Sequence, residues 1–437
     1  MTQIPRDRAV DVARLGALLV VMFGHCALLL ATIDGSGVRI GNLIGAQPSV
    51  APLTWIAQVM PLFFFAGGAA GAYGYRAGTA WGAWLVTRAQ RLYRPVFWYL
   101  AAWSVGLLIA SLTLGADSAI GLGGESVALL WFLGVYVLAL AFVPVLVRVR
   151  TGRGVGVVVA ALIGAAAALD ALRLSTGLAG AAVLNFLIVW LIPVVLGVAY
   201  ARGLLDRRVA LGAAVAAFLA QLALVVAGPY DVSLVVTGAE NVSNVAPPTV
   251  VLAMHCVWMS CAFAAAAAAV GRWARRPRVW AVVAAGNAGA MTLYLWHIVA
   301  IAIAAFALHG LGLDAYDVTA PGFWGLLAVR AAVFAVVMLV LFRVLTPLER
   351  RPLPWWDAPV ATTGGRVAVA GALTCGSGAI LVVMAKFGLG DAAGWSALAA
   401  FVALVVGARI CAAAPADGRV APVTAAPAPK AVDSPRP

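Results

Sequence analysis

Residues 10–31 read VDVARLGALLVVMFGHCALLLA, an apolar run long enough to cross a membrane that nevertheless carries Asp11, Arg14 and His25. Ionisable side chains within hydrocarbon are costly, so their presence argues for a lumen or a site inside a bundle rather than lipid contact. His25 follows Arg14 by eleven positions. On a helix that is about 1100° of rotation and about 16 Å of rise, so the two side chains lie within roughly 20° of one face. Asp11, one turn before Arg14, lies on nearly the same stripe and is a natural partner for its guanidinium. One helix thus carries a charged pair near one membrane face and an imidazole deep in the bilayer.

Runs of the same kind recur along all 437 residues, of which 64% are hydrophobic and 10% charged. A soluble domain averages about 25% charged residues, so the composition specifies a polytopic membrane protein. The expected fold is an all-α transmembrane bundle of about twelve helices. Their approximate spans are 10–31, 52–75, 96–114, 127–147, 155–172, 183–201, 209–228, 249–270, 280–308, 322–342, 367–385 and 394–412. The first run is too long for a cleaved signal peptide and contains His25. Spans eleven and twelve hold no membrane-embedded ionisable residue, so they read as an addition to a ten-span core. Residues 1–346 form that core, 347–411 the added pair, and 412–437 an Ala- and Pro-rich tail expected to be disordered.

The net charge of +13 is a topology signal rather than a nucleic-acid signature. Arginines cluster in alternate loops, as the positive-inside rule requires of a multi-pass plasma-membrane protein with both termini cytoplasmic. The connection at 76–95 suits a short interfacial amphipathic helix ending in arginines. Gly67 and Gly71 form a GxxxG suited to close helix packing. The five cysteines fall inside spans with no metal or disulfide spacing.

Two histidines, His25 and His297, lie past the midplane at similar depth, where they either serve one cavity or pack structurally. Imidazole is the side chain best suited to proton transfer near neutral pH. Tyr294, one turn before His297, shares its face. His255 and His309 fall nearer the outer boundary. Arg330, about two turns inside the tenth span, either binds an acceptor or pairs with Asp170. Arg88, Arg91 and Arg94 suit phosphate groups, although topology alone also places arginines there. Among sixteen Asp and Glu, only Asp11 and Asp170 fall in the expected spans, both near ends, which argues against an ion-coupled carrier.

VDVARLGALLVVMFGH resembles the first-helix signature of the acyltransferase-3 family of membrane-bound acyltransferases. PLFFFAGG at 61–68, RAQRLYRP at 88–95, WFLGVYVL at 131–138 and LYLWH ending at His297 resemble later landmarks of that family, over about residues 1–346. The resemblance implies an O-acyltransferase that moves an acyl group, by family habit acetyl, from cytosolic acyl-CoA to a hydroxyl of a glycan, glycolipid or secondary metabolite. It places His25 as general base, with Asp11 and Arg14 in the catalytic set. Arg88, Arg91, Arg94, Tyr294, His297 and Arg330 then bind substrate, membrane lipid surrounds the chain, and no metal, bound cofactor or nucleic acid is implied. Cys26 is rotated about 100° from His25, which favours direct transfer over an acyl-enzyme. The alternatives are a transporter or flippase without catalysis, and a structural membrane protein.

Overall fold

Within hydrocarbon a chain must satisfy its backbone hydrogen bonds internally, and this chain does so with helices. The computed structural model describes residues 7–34, 37–113, 115–238, 240 and 242–413. Its first half comprises α1 (Arg8–Leu28), the hairpin β1 (Leu29–Asp34) and β2 (Gly37–Asn42), α2 (Met60–Gly74), α3 (Trp81–Thr113), α4 (Ala116–Ser126), α5 (Leu130–Leu140), α6 (Gly152–Thr176) and α7 (Asn185–Ala201). The second half comprises α8 (Arg207–Ala227), α9 (Val250–Trp273), α10 (Pro277–Ala288), α11 (Ala290–His309), α12 (Phe323–Glu349), α13 (Gly365–Phe387) and α14 (Ala392–Cys411). Eleven segments among the described residues are long and apolar enough to cross a membrane. The protein is a polytopic all-α membrane bundle. The expected tail lies outside the described residues beyond Ala413.

The helix carrying Arg14 and His25 meets five other helices. α1 packs against α2, α9, α10, α11 and α12. Its start is fixed by Asp7, whose carboxylate accepts from the Ala9 and Val10 amides at 2.9 and 3.2 Å, satisfying two of the open donors of the first turn. The other oxygen of Asp7 accepts from Tyr73 at 2.9 Å and Tyr200 at 3.0 Å, tying α1 to α2 and α7. α2 and α7 themselves meet at glycines, where a Cβ on Gly68 or Gly197 would strike the facing backbone.

Four expectations change. The fourth span is two short helices, α5 and Val143–Leu146, because a proline ring at 144 would clash with the carbonyl four residues back in a continuous helix. The ninth is broken at Gly289, which abuts the Phe342 ring of α12. The arginine-rich stretch 76–95 is no separate interfacial helix: α3 starts at Trp81 and continues through Pro95, burying Gln90 and Tyr93. The last two helices are no appendage. α13 packs on α3 and α5, with Tyr93 and Ser377 hydroxyls 3.0 Å apart, and α14 packs on α13.

Candidate active site

His25 and His297 are in contact. Nδ1 of His25 lies 2.9 Å from Nε2 of His297, with the rings stacked at 5.1 Å and inclined by 19°. Nδ1 of His297 lies 2.6 Å from the Tyr294 backbone carbonyl. A carbonyl oxygen only accepts, so in the neutral pair His297 carries its proton on Nδ1 and presents a lone pair on Nε2. His25 then donates from Nδ1, which leaves its own Nε2 unprotonated. The chain of bonds orients one imidazole as a base by means of another, as a carboxylate orients the histidine of a catalytic triad. His297 is fully buried and His25 partly accessible, so the accessible end of the relay is the basic one.

About 16 Å back along α1, Arg14 opens into a cavity of about 630 Å³. Arg76, Arg88 and Arg91 line the same cavity, with Asp11, Tyr73 and Thr87. Trp84, Thr87, Arg88 and Arg91 recur at helical spacing, so one stripe of α3 faces it. The Arg88 guanidinium rests 5.3 Å from the centre of the Trp84 ring, and it reaches past Gly74, where a Cβ would collide with it. Four guanidinium groups around one cavity form an anion site suited to phosphate oxygens, which they meet with charge-assisted bonds.

The sequence pattern of the acyltransferase domain family matches residues 7–342, which is most of the chain and contains both the relay and the four arginines of the cavity. The chain belongs to the acyltransferase-3 family. It is therefore a membrane acyltransferase, a transferase of groups other than aminoacyl, and the reading as a transporter without catalysis is set aside. No curated protein and no solved structure matches it.

Three of the motifs that suggested an acyltransferase converge beside the relay. Phe64 of PLFFFAGG meets Phe132 of WFLGVYVL edge-on at 5.2 Å, and Phe132 lies 5.4 Å from Tyr294 of LYLWH. Each such pair contributes about 0.5–1.5 kcal/mol beyond area burial, so the aromatic chain braces the turn that holds His297.

Several expected site residues of this acyltransferase sit differently. Asp11 is buried, with Asn287 donating to its backbone carbonyl at 2.8 Å, and Asp11 and Arg14 line the same cavity. Both belong with the anion site, a helix-length from the base. Arg94 is outside the cavity and pairs with Asp357 at 2.6 Å. The Tyr294 hydroxyl donates to the Leu129 carbonyl, so Tyr294 positions His297 through its own carbonyl rather than presenting a free hydroxyl.

Arg330 does not reach Asp170. It is buried and donates to the Cys26 carbonyl, at the residue after His25. Asp170 instead accepts from the Val250 amide at 2.6 Å and from Asn185 at 3.2 Å. His255 is fully buried and donates from Nε2 to the Gln58 carbonyl at 2.7 Å, satisfying the break just before α2. His309 is the last residue of α11, 3.0 Å from Asp314. Arg76 and Asp7 were missed as site residues. Asp7 stands three residues before the first apolar run and directly before α1, the position of an N-cap.

Proposed function

We propose that this acyltransferase moves an acyl group, acetyl in the simplest case, from a cytosolic acyl-CoA to a hydroxyl on a glycan, lipid or small molecule. The observation that carries the proposal is a single helix bearing an arginine-lined anion cavity at one end and a pre-oriented imidazole base about 16 Å further on. In this reading the arginine-rich face is cytoplasmic in the plasma membrane, as the positive-inside rule requires. Arg14, Arg76, Arg88 and Arg91 hold the phosphates, and the extended arm of CoA lies along α1 towards His25.

His25 Nε2 takes the proton of the acceptor hydroxyl as its oxygen attacks the thioester carbonyl. The tetrahedral intermediate collapses with cleavage of the C–S bond, and the thiolate leaves with the proton returned by the imidazolium. His297 steadies that imidazolium through the Nδ1 bond. Arg330, beside the same turn of α1, supplies positive charge near the developing oxyanion. No acyl-enzyme is needed.

The test is transfer of labelled acetyl from acetyl-CoA to extracted envelope glycans, lipids and metabolites by purified protein. Wild type should transfer label, and His25→Ala should lower the rate by about 10²- to 10⁴-fold, the usual worth of a positioned general base. Full transfer by the folded His25→Ala protein would remove the proposed base.

A further inference from the structure

Residues 350–364 join α12 to α13 beyond the family match, which ends at 342. They are bound on two sides. Towards α3, Gln90 Nε2 donates to the Trp356 and Ala358 carbonyls at 2.6 and 3.0 Å, and the Trp356 indole donates back to the Gln90 carbonyl at 2.9 Å. Trp356 is only 3% exposed and lies between Tyr93 and Phe97. Asp357 holds Arg94. Towards α14, buried Arg409 donates from Nε to the Trp355 carbonyl at 2.9 Å, and the Ala361 amide donates to the Ala412 carbonyl at 2.9 Å.

A connection so held is a strap of fixed position. One face of α3 grips it through Gln90, Tyr93 and Arg94, while another carries Arg88 and Arg91 into the cavity. On either side of Ala361, Val360 and Thr362 line that cavity. The Arg88 and Arg91 guanidinium groups and the strap are thus spaced by one helix.

We propose that this strap is the closing wall of the donor site, that Thr362 limits what the arginine cavity admits, and that α13 and α14 serve the reaction by clamping the strap. The ligand it shapes is the phosphate-bearing part of acyl-CoA. This rests on the donor reading above.

Thr362 is exposed at the cavity, so Thr362→Trp fills space without disturbing a core. It should raise the KM for acetyl-CoA at least about tenfold, with kcat at saturating donor held within about twofold. Thr363→Trp, one residue along and not lining the cavity, should leave KM unchanged. Arg409→Ala should raise KM in the same direction by releasing the clamp. CoA titration of the purified variants, with Arg88→Ala alongside, separates the two readings. If Arg88→Ala loses CoA binding while Thr362→Trp and Arg409→Ala keep it, the strap is not a wall and the donor site stands. Equal KM rises from Thr362→Trp and Thr363→Trp also overturn the strap. If Arg14→Ala, Arg88→Ala and Thr362→Trp all bind CoA as wild type does, the donor reading itself fails.

Discussion

Replacing His297 with alanine isolates the relay from the base. His25 stays in place, but its Nδ1 loses the acceptor now 2.9 Å away. Two effects follow. The proton of His25 is free to move to Nε2, which costs the basic tautomer no more than about a few-fold in population, a fraction of a kcal/mol. More important, the imidazolium formed during attack loses a hydrogen bond from a charged donor, worth about 1.5–3 kcal/mol. That converts to roughly 10- to 150-fold in kcat. The donor KM should not move, because the anion cavity lies about 16 Å away along α1. Steady-state transfer by purified protein measures both quantities, and thermal unfolding in detergent shows whether the buried site still packs. His297→Gln, which can offer an oxygen to Nδ1, should recover part of the loss. The double variant His25→Ala/His297→Ala should be no slower than His25→Ala alone, since a relay without its base has nothing to orient. An unchanged kcat in His297→Ala, or losses that multiply in the double variant, would refute the relay.

Two further perturbations address how the donor end is built. Gly74→Ala places a Cβ on the Arg88 guanidinium, and the displaced cation should raise the donor KM roughly five- to tenfold while kcat stays constant, as read by steady-state kinetics. Asp7→Ala should lower the unfolding temperature, because it removes a helix cap worth about 0.5–2 kcal/mol and leaves the Tyr73 and Tyr200 hydroxyls without their acceptor. Asp7→Asn should restore the cap but only part of the loss, since its amide nitrogen cannot accept from the tyrosines.

How far the site is legible in sequence follows from how local each interaction is. Arg14 and His25 share one helix, so rotation and rise alone relate them. The contact between His25 and His297 spans 272 positions. Equal depth brings the two to one level, but the packing of α1 against α11 decides that they touch. The arginine triplet carried a local signal that went unused. From Arg88 to Arg94 is six residues, or about 600° of rotation, so these side chains diverge by about 120° and cannot all face one cavity. Arg94 accordingly turns to Asp357, a partner 263 positions away. Arg330 carried no such signal, since its partner is a backbone carbonyl and carbonyls leave no mark on a sequence. The C-terminal helices are the instructive case. Judged by ionisable residues they read as an addition to a ten-span core, but helices in a membrane associate through small residues and close packing rather than through charge. α13 contains Gly371, Gly376, Ser377 and Gly378, and a Cβ on Gly134 of α5 would strike the Gly378 carbonyl. α5 rises only about 16 Å across hydrocarbon about 30 Å thick, so it needs a neighbour pressed against it to stay in register. α13 is that neighbour, and it also packs on α14, whose Arg409 donates to the Trp355 carbonyl of the connection before α13.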